Sequence, residues 1–274
     1  MPHAAASVTT RGREDGKPGP ARAVGQGVAH PLDDPGWTAL TGPQAHLAQR
    51  RGGAARYPVD VSPFAAVARP DAGTGPDPAA WADLAALVGP GGVAVVVDAP
   101  AAAPDGWETV GAVPGVQMDG SGLAAAPDPE AVVLGPADVP EMVDLAARTR
   151  PGPFLARTPV LGTYLGIRRG GALVAMAGER MHPPGWTEIS AVCTDPAYRG
   201  QGLAARLVRA VAAVVRARGD VPFLHAAADN PAVGLYEHLG FTRRRTILFA
   251  AFRAAADEPT LAGAPDVVQA TFRT

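Results

Sequence analysis

The sequence predicts an α/β protein of the α+β kind: a mixed, mostly antiparallel sheet flanked by helices, preceded by a smaller α/β N-terminal domain. Three observations carry this expectation. "TYLGIRR" and "ALVAMAGERM" are strand patterns meeting at Gly170-Gly171, a hairpin signature. "TEISAVCT" follows as a third strand, then a glycine-containing corner and a helix from Gly202 to Arg218 with Leu203, Leu207, Val211, Val214 and Val215 on one side. The second half thus alternates helix, a run of strands, helix, strand, helix, strand, the order of a mixed sheet with helices packed on it.

Each element has its local reason. Residues 1–29 combine Gly, Pro, Ala and scattered charge with few large apolar side chains, and are expected to form a disordered tail. "WADLAALVGPGGVAVVVD" reads as a short helix, a turn and a buried strand from Val93 to Val97, and "DAPAAAPDG" (98–106) as a surface loop. Composition turns to Gly, Ala, Pro and acid in "GSGLAAAPDPE" (120–130), so the N-terminal domain is drawn at 30–125, the second domain at 130–254 and a C-terminal extension at 255–274. "AVVLGPADV" restarts an apolar strand. "DVPEMVDLAARTR" is a helix with Asp138 as N-cap, ended by "RPGPFLARTP". Arg206, Arg209, Arg216 and Arg218 take the polar side of the later helix, and Gly219 stops it. "VPFLHAAAD" is a buried strand leading to Asn230 as N-cap and Pro231 at the first helical position; this helix closes on Gly240, and "RRRTILFAAF" is the last strand.

The totals exclude several classes of function. With 24 basic and 26 acidic residues the net charge is −2, so no footprint for nucleic acid or an anionic membrane appears. Cys193 is the single cysteine, which excludes an intramolecular disulfide framework and a cysteine metal cluster. The opening stretch lacks the apolar core of a secretory leader, and no later run reaches membrane-spanning length. The expectation is a soluble, cytoplasmic chain with no metal.

The corner "TDPAYRGQGLAARLV" carries the chemistry. A strand-to-helix turn leaves backbone N–H groups unpaired and adds the helix dipole, while Gly200, Gly202 and Ala204 let an anion come close and Arg199 adds charge. Taken alone, such a turn is more often only a turn. With its context, "TEISAVCTDPAYRGQGLAARL" followed by "PFLHAAADNPAVGLYEHLGF" resembles the GNAT superfamily of N-acetyltransferases. Arg199, Gly202 and Ala204 fall on the three specified positions of its Q/R-x-x-G-x-G/A signature for acetyl-coenzyme A. The resemblance covers roughly residues 130–250. The half before it carries no chemical motif, though its α/β pattern could be a degenerate copy of the same fold.

The resemblance implies transfer of an acetyl group from acetyl-CoA to a primary amine by direct attack in a ternary complex. It implies acetyl-CoA as co-substrate, bound by Arg199, Gly200, Gln201, Gly202, Leu203 and Ala204 at the corner. Val192, Cys193 and Thr194 would line the pantetheine arm, the Val192 N–H would be the oxyanion donor, and Asn230 would reach the coenzyme or simply cap its helix. Tyr236 is expected as general acid for the leaving sulfur, against the alternative that it is packed core. Glu188 is expected as the base, against the alternative of a solvated or edge carboxylate. Cys193 reads as a small buried residue and His225 as a hydrogen-bonded core histidine rather than as chemical groups. On the acceptor side, Arg150, Phe154 and Arg157 of the loop after the first helix, with Glu179, Arg180 and His182, are candidates to border the cleft. Expected partners are a small-molecule or peptide amine, and a homodimer is left open. The rival function is a noncatalytic acyl-CoA-binding or interaction module; a dinucleotide-binding domain fits less well because the corner lacks G-x-G-x-x-G.

Overall fold

The computed structural model describes residues 30–69 and 77–256, so the tail expected at 1–29 and most of the extension expected at 255–274 lie outside the described residues. In chain order the elements are α1 (Pro35–Thr41), β1 (Gln49–Arg51), β2 (Ala54–Arg56), β3 (Phe64–Val67), α2 (Pro78–Val88), β4 (Val93–Val97) and β5 (Trp107–Asp119). Then come β6 (Val132–Val133), α3 (Val139–Thr149), β7 (Tyr164–Arg169), β8 (Ala172–Glu179), β9 (Trp186–Thr194), α4 (Leu203–Ala217), β10 (Val221–Ala227), α5 (Val233–Leu239) and β11 (Thr242–Ala254). Among the described residues no helix is long and apolar enough to cross a membrane.

The strands form one mostly antiparallel sheet in the order β1-β2-β3-β4-β11-β5-β10-β9-β8-β7-β6. Two parallel pairs interrupt it, β3 with β4 across α2, and β9 with β10 across α4. Both follow the same physical requirement, since parallel neighbours need a crossover long enough to hold a helix. The order contains an exchange. β5, the last strand of the first half, pairs with β10 of the second; β11, the last strand of the second half, pairs with β4 of the first. β5 and β11 also pair with each other along most of their length. Hydrogen bonding therefore crosses the division expected at 125–130.

The alternation of side chains along β5, β10 and β11 separates two apolar layers. α4 and α5 pack over Val116, Met118, Leu224 and Ala226, while Phe223, Ile247, Phe249 and Ala251 face the opposite layer, which includes Leu32, Leu40, Tyr57 and Phe64 from the first half. α3 covers Met176, Ala191 and Cys193. Buried Gln44 joins the halves: its Nε2 donates to the carbonyls of Leu161 (3.3 Å) and Arg180 (2.7 Å), and its Oε1 accepts from the Tyr57 hydroxyl (2.6 Å) and the His182 N–H (3.1 Å). Every hydrogen-bonding group of that amide is used, as burial demands.

Several expected elements appear where the sequence puts them. Gly170 and Gly171 both have positive φ (57° and 87°), as the tight turn between β7 and β8 requires. α4 buries Leu203, Leu207, Val211 and Val215, and Gly219 follows its end at φ 87°. Others are corrected. The strand restarting at residue 131 is only Val132–Val133. Asp138 does not cap α3; its carboxylate accepts from the Gly135 N–H (2.7 Å) and from Arg168 (2.5 Å), closing the turn before the helix. α5 begins at Val233 rather than Pro231, because Asn230 Oδ1 accepts from the Ala232 N–H (2.8 Å) and spends its capping capacity on a preceding turn.

Candidate active site

β9 and β10 pair only through Val221–Trp186, Pro222–Thr187 and Phe223–Glu188; beyond that point the two strands separate. On the other side of β9 the pairing with β8 shifts register between Met176 and Gly178, and Ala191 at the shift has φ 52°. One extra residue on β9 thus makes a bulge, which turns the strand and re-aims the residues after it. The Asp195 N–H donates to Val174 on β8 (2.8 Å), so alternation turns the amides of Val192 and Thr194 toward the gap opened beside β10. A cleft of about 840 Å³ fills the opening.

The corner after β9 forms one wall. Gly200 and Gly202 have φ 78° and 73°, in the left-handed region where a side chain costs about 1–2 kcal/mol, and a Cβ at either would meet nothing within 4 Å. Among the described residues no acceptor is within reach of the N–H groups of Gly200, Gln201, Gly202, Leu203 and Ala204; the first helical bond of α4 is from Arg206 to Gly202. These amides, at the positive end of a 15-residue helix, suit a diphosphate. Arg199, Gly200, Gly202, Leu203 and Ala204 line the cleft; the exposed Gln201 does not. Val192, Cys193 and Thr194 line it too, and Thr194 Oγ1 is buried without a partner among the described residues. Asn230 borders the same space.

Tyr236 lies on α5, 7% exposed, with its ring edge-on to Phe241 at 5.9 Å. It lines the cleft, and its hydroxyl has no hydrogen-bond partner among the described residues. Burial, with Cys193 nearby, pushes that hydroxyl up to about 12, so it keeps its proton throughout the neutral range. Burial likewise pushes the Cys193 thiol up to about 11, so it stays a thiol rather than a thiolate near neutral pH.

The carboxylate expected as the base is built differently. Glu188 is fully buried and accepts from Arg180 Nε (2.8 Å) and Nη2 (2.5 Å), while its Oε1 meets His225 Nδ1 at 2.7 Å. Burial alone would raise its pKa; the charge of Arg180 and the hydrogen bonds from Arg180 and His225 outweigh that and hold it well below the ordinary carboxylate range. Such a group does not take a proton from an ammonium near neutral pH. The polar chain continues sideways. Arg244 donates to Gln117 Oε1 (2.8 Å), and Gln117 Nε2 reaches the Leu32 carbonyl (2.9 Å) and His225 Nε2 (3.0 Å). An arginine only donates and a carbonyl only accepts, so the Gln117 amide has one orientation, and its N–H requires His225 Nε2 to be the acceptor. The ring is held as the Nδ1–H tautomer, in keeping with the reading of His225 as a hydrogen-bonded core residue.

Of the acceptor-side candidates, Arg150 and Arg180 line the cleft. Phe154 packs on Tyr164 (5.5 Å), Arg157 pairs with Asp60 (2.9 Å), and Glu179 pairs with Arg218 (2.9 Å) with His182 beside it (3.6 Å); none of these four side chains borders the opening. Sequence reasoning missed Phe64 and Val113, which bring the first half into the cleft wall, and Gln117, which orients His225. Only opposite charges at Arg180 and Glu188, flanking a short connection between otherwise apolar strands, marked that pair in the sequence.

A family model described as FR47-like protein matches residues 164–250. A solved GNAT-family acetyltransferase structure from Novosphingobium aromaticivorans is 43% identical, with a TM-score of 0.75 over 83% of this chain and 100% of that one. The chain belongs to the GNAT family. An N-alpha-acetyltransferase RimI from Mycobacterium tuberculosis is 42% identical over 84 residues, 29% of this chain and 52% of that relative, so the match spans about half the relative's length. A GCN5-related N-acetyltransferase from Kribbella flavida shares the fold at 22% identity and a TM-score of 0.53, over 76% of this GNAT chain and 88% of its own.

Proposed function

We propose that this GNAT protein is an N-acetyltransferase that moves an acetyl group from acetyl-CoA to a primary amine by direct attack in a ternary complex. The observation that carries the reading is the set of amides from Gly200 to Ala204, unpaired among the described residues and opening onto a gap between β9 and β10. That wall and gap fit a diphosphate and a pantetheine arm, and Tyr236, whose hydroxyl has no partner among the described residues, lines the same cleft. In this reading the corner amides and Arg199 hold the diphosphate, and Val192, Cys193, Thr194 and Asn230 border the arm. The Val192 N–H stabilises the oxygen that becomes negative as nitrogen bonds to the acyl carbon. Tyr236 gives its proton to sulfur as the carbon–sulfur bond breaks and regains one from solvent. The amine loses its proton to water, and Glu188 acts as a positioning residue for Arg180 and His225.

The acceptor class is a small-molecule or peptide amine; the N-alpha activity in the name of the mycobacterial relative makes an α-amine the first to try. Calorimetry with acetyl-CoA, followed by an amine panel read by release of free thiol, tests the proposal. Binding with thiol release supports it. Binding without release across the panel favours a noncatalytic acyl-CoA-binding module, and no binding overturns both.

A further inference from the structure

The side chain of Arg180 is in an unusual state for a buried cation. Its Nε and Nη2 engage Glu188 side-on, which uses two of the five N–H groups of a guanidinium. The remaining three, two on Nη1 and one on Nη2, have no acceptor among the described residues, although Arg180 is only 8% exposed. Two of them, one on each terminal nitrogen, form the end-on fork of the group, whose parallel N–H bonds match the two oxygens of a carboxylate. The guanidinium lies 4.7 Å from the centre of the Phe64 ring, which fixes its plane, and Glu188, itself tied to His225, fixes its rotation.

The free fork adjoins the cleft, and its surroundings select a ligand. Arg180, Phe64, Val113 and Phe249 line the same opening as Ile189 and His225. Phe223, Phe249 and Phe64 belong to the apolar layer opposite α4, so this end of the cleft lies across the sheet from α4, whose N-terminus faces the proposed diphosphate site. Glu188, already neutralised by Arg180, touches the guanidinium, and the other charged residues that line the cleft are Arg150, Arg199 and Asp229. An apolar pocket with one rigid, half-used guanidinium is suited to an apolar body carrying a carboxylate.

We propose that the acceptor amine is an amino acid with an apolar side chain, held by its carboxylate on the free edge of Arg180, with its side chain against Phe64, Val113 and Phe249. This rests on the acetyltransferase reading and narrows it. A peptide N-terminus offers a single carbonyl oxygen at the same place and leaves part of the fork unmatched.

The test uses the full chain saturated with coenzyme A, titrated by calorimetry with N-acetylphenylalanine and with its carboxamide. The carboxylate is expected to bind at least about tenfold more tightly, a difference of about 1.4 kcal/mol. In the double variant Arg180→Met with Glu188→Leu, which removes both buried charges together so that neither is left unpaired, the preference is expected to vanish while coenzyme affinity stays within about twofold. Equal binding of the two probes to the unaltered protein overturns the proposal whatever the variant does, as does a preference that survives in the variant. Thiol release from peptide or carboxamide amines as fast as from phenylalanine overturns it while leaving the acetyltransferase standing. Failure of acetyl-CoA to bind at all removes both.

Discussion

Arg180 and Glu188 meet side-on, with Nε to Oε2 at 2.8 Å and Nη2 to Oε1 at 2.5 Å, in a part of the sheet where Glu188 has no exposure at all. Breaking a buried pair costs more than the pair contributes, because the partner is left charged and dry. Glu188→Gln is therefore expected to destabilise the fold by about 3 kcal/mol at neutral pH. The sign with pH follows from the direction of the shift. The folded carboxyl is held below its unfolded value of about 4.3, so its contribution is present above that pH and is lost as the pH falls below it. Urea titrations of both proteins at pH 7 and near pH 3 check this: the gap should narrow in acid. The alkaline-going limb of the rate profile should be the same in both, since Glu188 does not titrate there.

If Tyr236 is the proposed proton donor, its removal should be felt in turnover alone. Tyr236→Phe keeps the ring against Phe241 and deletes a hydroxyl that has no other partner among the described residues, so little stability is at stake. The loss in kcat is expected to be about 100-fold, the lower range for a positioned proton donor, with the affinity for acetyl-CoA unchanged. Because burial carries the hydroxyl to about 12, the unaltered enzyme should show no fall in kcat from this group between pH 7 and 10. Stopped-flow thiol detection with parallel calorimetry separates the two quantities. Equal kcat in the variant would return Tyr236 to the status of core packing.

The parts of this site that depend on local backbone rules were readable from residues in sequence. Gly200, Gly202 and the apolar period of α4 announce a left-handed turn and a helix start without knowledge of anything distant. The hairpin at Gly170-Gly171 is of the same kind. β5 was not readable, because Gly111, Pro114 and Gly115 look like breakers. In the fold Gly115 lies where a Cβ would stand 2.5 Å from the Phe249 ring, and the Pro114 carbonyl accepts from Ala228 (2.9 Å). Those residues are selected by neighbours that arrive more than a hundred positions later. Gln117 is silent for the same reason: its partners are Leu32, His225 and Arg244. A carboxylate on the expected strand suggests a base, and the cation beside Glu188 that lowers its basicity comes into view only in the fold.

Gly202 provides a test of the corner that separates fold from binding. Gly202→Ala places a Cβ in open space but at φ 73°, so the expected stability loss is about 1–2 kcal/mol, with the turn biased away from the shape that gathers its amides. Gly219→Ala is the matched control, since φ is 87°, a Cβ again meets nothing, and the residue sits at the far end of α4. Both variants should melt earlier by similar amounts. Only Gly202→Ala should weaken acetyl-CoA, by about tenfold. Thermal melts and calorimetry on the pair decide it, and equal coenzyme affinity in the two variants would remove the corner from the binding site.

The exchange of β5 and β11 predicts how the chain comes apart. Strand β10 has β5 as its neighbour on one side, and β4 has β11, so each half leaves a strand edge unpaired when the other is absent. Such edges are long and apolar here, and an exposed edge of that kind associates rather than staying soluble. The intact protein should therefore unfold in one cooperative transition. Far-ultraviolet circular dichroism and tryptophan fluorescence, which reports from Trp37, Trp81 and Trp107 in the first half and Trp186 in the second, should give coincident denaturant midpoints. Residues 130–254 expressed alone should aggregate or stay unfolded, and co-expression with residues 30–125 should return them to solution. Two separated midpoints, or a soluble, folded fragment 130–254, would mean that the halves fold independently and that the exchanged strands join them afterwards.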